Sequence, residues 1–327
     1  MSIEITSSNI RTWSRTGQAG AFGIAALALP EINENIVFLS ADLGVHSGLE
    51  RFMQQYPDRF YNMGIAEQNM IGVAAGMANE GMQLFATTFA AFASSRCMDQ
   101  VSVCMGYMQQ GIKLIGMTSG LSAGALGATH TCTRDVATMR AVPNITILSP
   151  ADGLETIKAT LALATYDGPV YMRLAGGWSA PIVYRDDYKF DIGKMIKLRE
   201  GDDITIFATG PMVYNSLKAA ESLESENLSV GVINVHTIKP LDTDAIMDTI
   251  KSKLIVTIEE HSVVGGLGSA ISEHLAQLRD APPQLILGIP DECPKAGEYQ
   301  WLLEQLGLTP EIIKQQILKK YRELLSS

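Results

Sequence analysis

The chain has little charge and little cysteine. Only 18% of its 327 residues are Asp, Glu, Lys or Arg, and aromatic residues make up 7%. The four cysteines, Cys97, Cys104, Cys132 and Cys293, form no CxxC pair and share no metal-ligand spacing with the five histidines. They read as free thiols of a reducing compartment, which excludes a disulfide framework. Long hydrophobic runs are missing as well. The longest uncharged apolar stretch, residues 81–95, is too short and too rich in Thr and Ser to span a bilayer. The opening MSIEITSSNIRTWSRTG carries no apolar signal core. With a net charge of −10 and scattered basic residues, the chain is poorly suited to phosphate backbones. Lys319, Lys320 and Arg322 are the nearest approach to a basic cluster, and they read as a solvated helix end. The expectation is a cytoplasmic protein that binds neither membrane nor nucleic acid.

Apolar residues are plentiful, at 46%, and the length suits roughly two domains of about 150 residues. In the first half, β-type runs (IVFLS from Ile36, KLIGM from Lys113, ITILS from Ile145, VYMRL from Val170) alternate with helical patterns over roughly 17–29, 66–79, 88–109 and 152–165. Continuous buried strands alternating with helices predict an α/β fold, a mostly parallel sheet covered by helices. Periodicity lapses between Ala175 and Asp191, which predicts a linker. The second half repeats the alternation with DITIFA, SVGVINV, LIVTIEE and QLILGI, separated by helices near 212–226, 242–251, 266–279 and 311–324. Two α/β domains are therefore expected, over 1–185 and 190–327.

The second half offers little chemistry. VVGGLGSAIS, residues 263–272, mimics half of a dinucleotide fingerprint, but Ile271 stands at the third glycine position and a tight strand-to-helix turn explains it better. His236 and His261 read as hydrogen-bonded loop histidines. The first half differs. In YNMGIAEQNMIGVAAG, residues 61–76, one carboxylate, Glu67, is set among small and apolar residues, where burial is costly. Satisfaction by the first-turn amides of a helix is the plainer reading. Gly72 and Gly76, four apart beyond it, would let that helix approach another backbone closely. Phe89 and Phe92 are three apart and would share a helix face, followed by Arg96 and Asp99. GMTSGLSAGALGATHTCTRDV, residues 116–136, is a long small-residue loop carrying His130, placed after a strand where open α/β sheets bind ligands.

Together these segments resemble the C-terminal half of a transketolase, a thiamine-diphosphate enzyme. The resemblance runs through SADLG (40–44), GIAEQNM (64–70), TTFAAF (87–92), GATHT (127–131), PNITILSPADG (143–153) and GPVYMRLAGG (168–177). It continues in TIKPLD (237–242) and EEHSVVGGLGSA (259–270), and so covers residues 11–315. It implies a pyrimidine-binding domain followed by a transketolase C-terminal domain, and ketol transfer from a ketose to an aldehyde. It implies further that Glu67 shares a proton with the cofactor's aminopyrimidine, that Phe92 stacks on that ring and that Phe89 completes the wall. Asp42 would lie near the cofactor at a subunit interface, and His130 would face the reacting carbonyl and sugar hydroxyls. Arg173 would bind the substrate's anionic end, with His46 and Thr118 at two positions beside it.

Departures limit the carry-over. Ser95 stands where many transketolases have a tyrosine, Leu126 where they have an aspartate for a sugar hydroxyl, and the N-terminal phosphate arginine is absent around Gln18. The far end of the substrate is therefore expected not to be the usual sugar phosphate. No GDG followed by Asn occurs, the pattern that holds Mg²⁺ and the diphosphate. The resemblance thus implies one subunit of a split transketolase, partnered by an N-terminal subunit that carries GDG…N, self-associating through both of its domains into an α2β2 heterotetramer. The alternatives are the beta subunit of a 2-oxo acid dehydrogenase, a synthase of the deoxyxylulose phosphate type, or a non-catalytic scaffold partner.

Overall fold

The computed structural model describes residues 3–326; Met1 and Ser2 of the N-terminal stretch read above, and Ser327, lie outside the described residues. The strands of the first half are β1 (Ile36–Ser40), β2 (Phe60–Asn62), β3 (Gln83–Phe89), β4 (Lys113–Ser119), β5 (Thr146–Leu148) and β6 (Val170–Ala175). Those of the second are β7 (Ile196–Arg199), β8 (Ile204–Ala208), β9 (Val230–Asn234), β10 (Thr237–Lys239), β11 (Leu254–Ser262) and β12 (Gln284–Ile289). They form two sheets, ordered β10-β5-β6-β4-β3-β1-β2 and β12-β11-β8-β9-β7. Each is parallel except for one edge strand, β10 against β5 and β7 against β9. Strands β1, β5, β6, β8 and β9 are buried along their whole length, as expected for parallel strands with helices on both faces.

Local chemistry shifts several boundaries. The N-terminal helix runs Ser7–Ala26, starts earlier than expected and breaks at Gly17, whose φ of 66° only glycine adopts freely. The helix expected over 88–109 is not continuous. Strand β3 runs into it as far as Phe89, and short helical pieces follow at Ala90–Ala93, Met98–Gln100 and Val101–Tyr107. Ser94 Oγ donates to Ala90 O at 2.7 Å, the kind of local bond that competes with helix continuation. In SPADG, Asp152 caps the helix Gly153–Ala162 by accepting from Glu155 N at 2.9 Å.

Residues 176–195 contain no helix or strand, yet the halves are joined by far more than this segment. Strand β10, from the second half, pairs with β5 of the first through Thr237 and Leu148. Trp13, Leu154 and Ile157 share one buried cluster with Ile206, Met212 and Val256. Each such side chain contributes about 1.5–3 kcal/mol when fully buried. No helix among the described residues is long and apolar enough to cross a membrane.

Candidate active site

Ligands in parallel α/β sheets collect beyond the carboxyl ends of the strands. Asp42 and His46 follow β1, Glu67 follows β2, Phe89 ends β3, Thr118 lies near the end of β4 and His130 is on the loop after it. Phe89 has extended backbone (φ −62°, ψ 140°) and leads directly into Ala90–Ala93, so Phe92 comes one turn later. Their ring centroids are 5.8 Å apart. His130 meets both rings nearly edge-on, at 6.0 Å from Phe89 and 5.9 Å from Phe92, and His46 approaches Phe89 at 6.4 Å. The structure thus gathers four of the expected residues into one aromatic group.

Glu67 adjoins this group through Arg96. It is the first residue of the helix Glu67–Asn79 and is 2% exposed. No first-turn amide caps onto it among the described residues; Oε1 accepts from Arg96 Nη1 at 2.7 Å. The other oxygen, Oε2, is buried without a hydrogen bond. A buried oxygen left so costs about 1–3 kcal/mol or more, which marks it as waiting for a donor. The Arg96 guanidinium lies 4.1 Å from the centroid of the Phe92 ring. An aromatic face beside an acid with one free oxygen fits a flat nitrogen heterocycle such as an aminopyrimidine. The same residues do not fit a diphosphate or its metal: no group of three His, Cys, Asp or Glu side chains able to hold a metal occurs among the described residues.

The remaining expected residues are placed less centrally. Asp42 has a left-handed backbone (φ 59°), is exposed and accepts from Asn62 Nδ2 at 2.9 Å. Thr118, also left-handed at φ 52°, is half-buried next to Met117, the β4 partner of Phe89. Arg173 is held in the interior of this chain, and its Nη1 is buried without a hydrogen bond. It is 1% exposed, with Nε donating to Asp135 Oδ2 at 2.9 Å and Nη2 to Glu260 O at 3.0 Å. Burial disfavours the charge on Asp135, but Arg173, His261 and the Tyr171 hydroxyl outweigh it and hold the carboxyl below its usual range. The face of Gly72 and Gly76 meets nothing within 4 Å of an added Cβ in this chain.

The second half contributes what the sequence did not reveal. The neck of the His130 loop is closed by Gly120 N to Cys132 O and Cys132 N to Gly120 O, both 2.9 Å. Strand β11 grips both sides of that neck. Leu121 N donates to Glu260 Oε1 at 2.7 Å, and Ser262 N donates to Thr133 O at 2.7 Å. Tyr299 Oη donates to the other Glu260 oxygen at 2.5 Å. Burial pushes the Glu260 carboxyl up to about 7, against the opposing pull of these donors and Arg173. The one available signal was EEHS at the carboxyl end of a strand, the edge where the first half keeps its site.

Two family models match the chain: transketolase, pyrimidine binding domain, over residues 18–176, and transketolase, C-terminal domain, over residues 193–313. A putative transketolase C-terminal section of Methanocaldococcus jannaschii is 36% identical over 310 residues, covering 94% of this chain and 97% of its own. A 6-deoxy-6-sulfo-D-fructose transketolase subunit of Clostridium sp. (strain MSTE9) is 41% identical over 282 residues, covering 86% and 87%. A solved split gene transketolase, described as an inactive beta4 tetramer, matches with a TM-score of 0.83 at 36% identity, over 92% of this chain and 97% of that one. The transketolase of Campylobacter jejuni, at TM-score 0.78 and 20% identity, shows the fold alone, and the match covers 46% of its length. That relative's beta4 assembly contradicts the expected α2β2 heterotetramer.

Proposed function

The chain belongs to the transketolase family, and on that premise we propose that it carries the pyrimidine-binding half of a thiamine-diphosphate site used to transfer a two-carbon ketol unit from a ketose to an aldehyde. The observation that carries this reading is the buried, unbonded Glu67 Oε2, on a carboxylate that Arg96 bridges to the Phe92 face. When bound, thiamine diphosphate supplies an acidic thiazolium carbon able to accept and hand on the two-carbon unit. Glu67 would face a ring nitrogen of the aminopyrimidine with Oε2 and supply a hydrogen-bond partner there. Phe92 and Phe89 hold the ring flat and keep water from it. His130 hydrogen-bonds the reacting carbonyl and sugar hydroxyls and moves a proton there. Asp42 borders the cofactor from the end of β1. The diphosphate and Mg²⁺ are held by residues outside these 327, so the chain alone transfers no ketol groups.

With Arg173 engaged by Asp135 and Glu260 and only its Nη1 left unpaired, His46 and Thr118 are the other groups this chain offers the far end of a substrate. Hydrogen-bonding groups of that kind suit a terminus other than the dianionic phosphate of ordinary pentose phosphates. Relatives vary at this point: one is named for 6-deoxy-6-sulfo-D-fructose and another, from Phocaeicola vulgatus, for apulose 4-phosphate. The test is Glu67→Gln, assayed on a panel of ketose donors in the presence of the diphosphate-holding half. Turnover should fall on the order of 10²–10⁴-fold while the fold survives. Undiminished ketol transfer by the variant refutes the reading.

A further inference from the structure

Arg96 lies over the Phe92 face, on which the proposed function stacks the aminopyrimidine. Its guanidinium is planar, it lies 4.1 Å from the Phe92 centroid, and it donates to Glu67 Oε1 at 2.7 Å. Stacking on Phe92 and a hydrogen bond to Glu67 are also the kinds of interaction that the proposed function assigns to the cofactor ring, though Arg96 takes Oε1 and leaves Oε2 free. A flat, cationic, hydrogen-bonding group is the closest mimic of a protonated heterocycle that a protein side chain can offer. The arrangement also answers a folding problem. Glu67 is almost fully buried, and without a counter-charge its carboxylate would be strongly penalised. Arg96 is suited to leave: its side chain is 45% exposed, so it can swing into water on its flexible stem.

We propose that Arg96 is a resident placeholder in the pyrimidine seat, which neutralises Glu67 in the empty protein and must leave the Phe92 face before a planar ligand enters. The proposal rests on the reading of the seat given above. The displacement lowers the apparent affinity, because only molecules with Arg96 swung out can accept the ring. Affinity falls by the fraction that is competent. If about a tenth of the molecules are open, removing the side chain tightens binding about tenfold.

The experiment titrates thiamine diphosphate with Mg²⁺ by calorimetry into the enzyme complete with its diphosphate-holding half, comparing wild type with Arg96→Ala. Arg96→Gln serves as a second variant that keeps a hydrogen bond to Glu67 without the charge or the stacking. In parallel, NMR of the arginine side chains follows the Arg96 guanidinium as the same ligand is added. Tighter binding by both variants, with an Arg96 signal that loosens as ligand is added, supports the placeholder. Equal or weaker binding by both variants, with wild type binding normally, overturns it and makes Arg96 a fixed support of Glu67. If neither wild type nor the variants bind thiamine diphosphate, the pyrimidine seat itself is wrong and the proposal falls with it.

Discussion

Arg173 and Asp135 form an ion pair at 2.9 Å with both side chains closed off from solvent. Asp135 opens the helix Asp135–Arg140 at the end of the His130 loop, and Arg173 projects from the inner strand β6. The same guanidinium reaches Glu260 O in β11. One arginine thus ties the foot of the site loop, the first sheet and the second sheet together.

Removing Arg173 should therefore act on stability before it acts on substrate affinity. Loss of one partner from a buried pair typically costs about 3–5 kcal/mol, because the other charge is left stranded. Arg173→Ala is expected to lower the urea midpoint by a corresponding amount. A stable variant with only a raised Michaelis constant would instead assign Arg173 to the substrate site.

Glu260 makes a pH-dependent contribution of definite sign. Its carboxyl titrates near 4.5 when unfolded and about 7 when folded. Between those values the folded chain keeps a proton that the unfolded chain has released. The contribution is fully present below pH 4.5 and is lost as pH rises through 7. Glu260→Gln, which can still accept from Leu121 N, should remove that slope, on the order of 1–3 kcal/mol between pH 4.5 and 8. Urea midpoints of wild type and variant, measured across this range, check it. Parallel stability curves would show that Glu260 is ionised throughout.

The legible parts of the chain were those where one physical effect dominates. Runs such as IVFLS and VYMRL mark strands because parallel strands are buried on both faces and admit little polarity. QLFATTF was harder, since Thr87 and Thr88 interrupt the run and Phe89 and Phe92 together look helical. In fact Phe89 closes β3 and Phe92 belongs to the next turn. Glu67 could be picked out by its setting, but its pairing with Arg96, 29 residues away, depends on tertiary packing. Arg173 shows the limit most plainly: its position in VYMRL says it is on a strand, and only the packed structure says which face it takes. Glu260 was hidden for a related reason. It serves a loop 139 residues away, and no local pattern records that.

His130 is the clearest test of whether the gathered residues act together. Its ring touches Phe89 and Phe92, while its Nδ1 shares a 2.9 Å hydrogen bond with Thr129 Oγ1. The residue is half-buried on a loop whose neck is fastened independently by Gly120, Cys132 and Glu260, so the fold does not lean on the imidazole. His130→Ala should accordingly leave the stability within the small range of surface substitutions, about 0.5 kcal/mol, and the melting temperature nearly unchanged. Turnover with the diphosphate-holding half present should drop on the order of 10²–10⁴-fold, the range for a positioned proton donor or acceptor. Asparagine in its place retains a hydrogen-bond donor but cannot exchange a proton near neutral pH. His130→Asn should then recover part of the substrate affinity and little of the turnover. Steady-state kinetics and thermal melts on the two variants separate these effects. Full turnover in His130→Asn would reduce His130 to a hydrogen-bond donor, and a large drop in melting temperature would make it part of the fold.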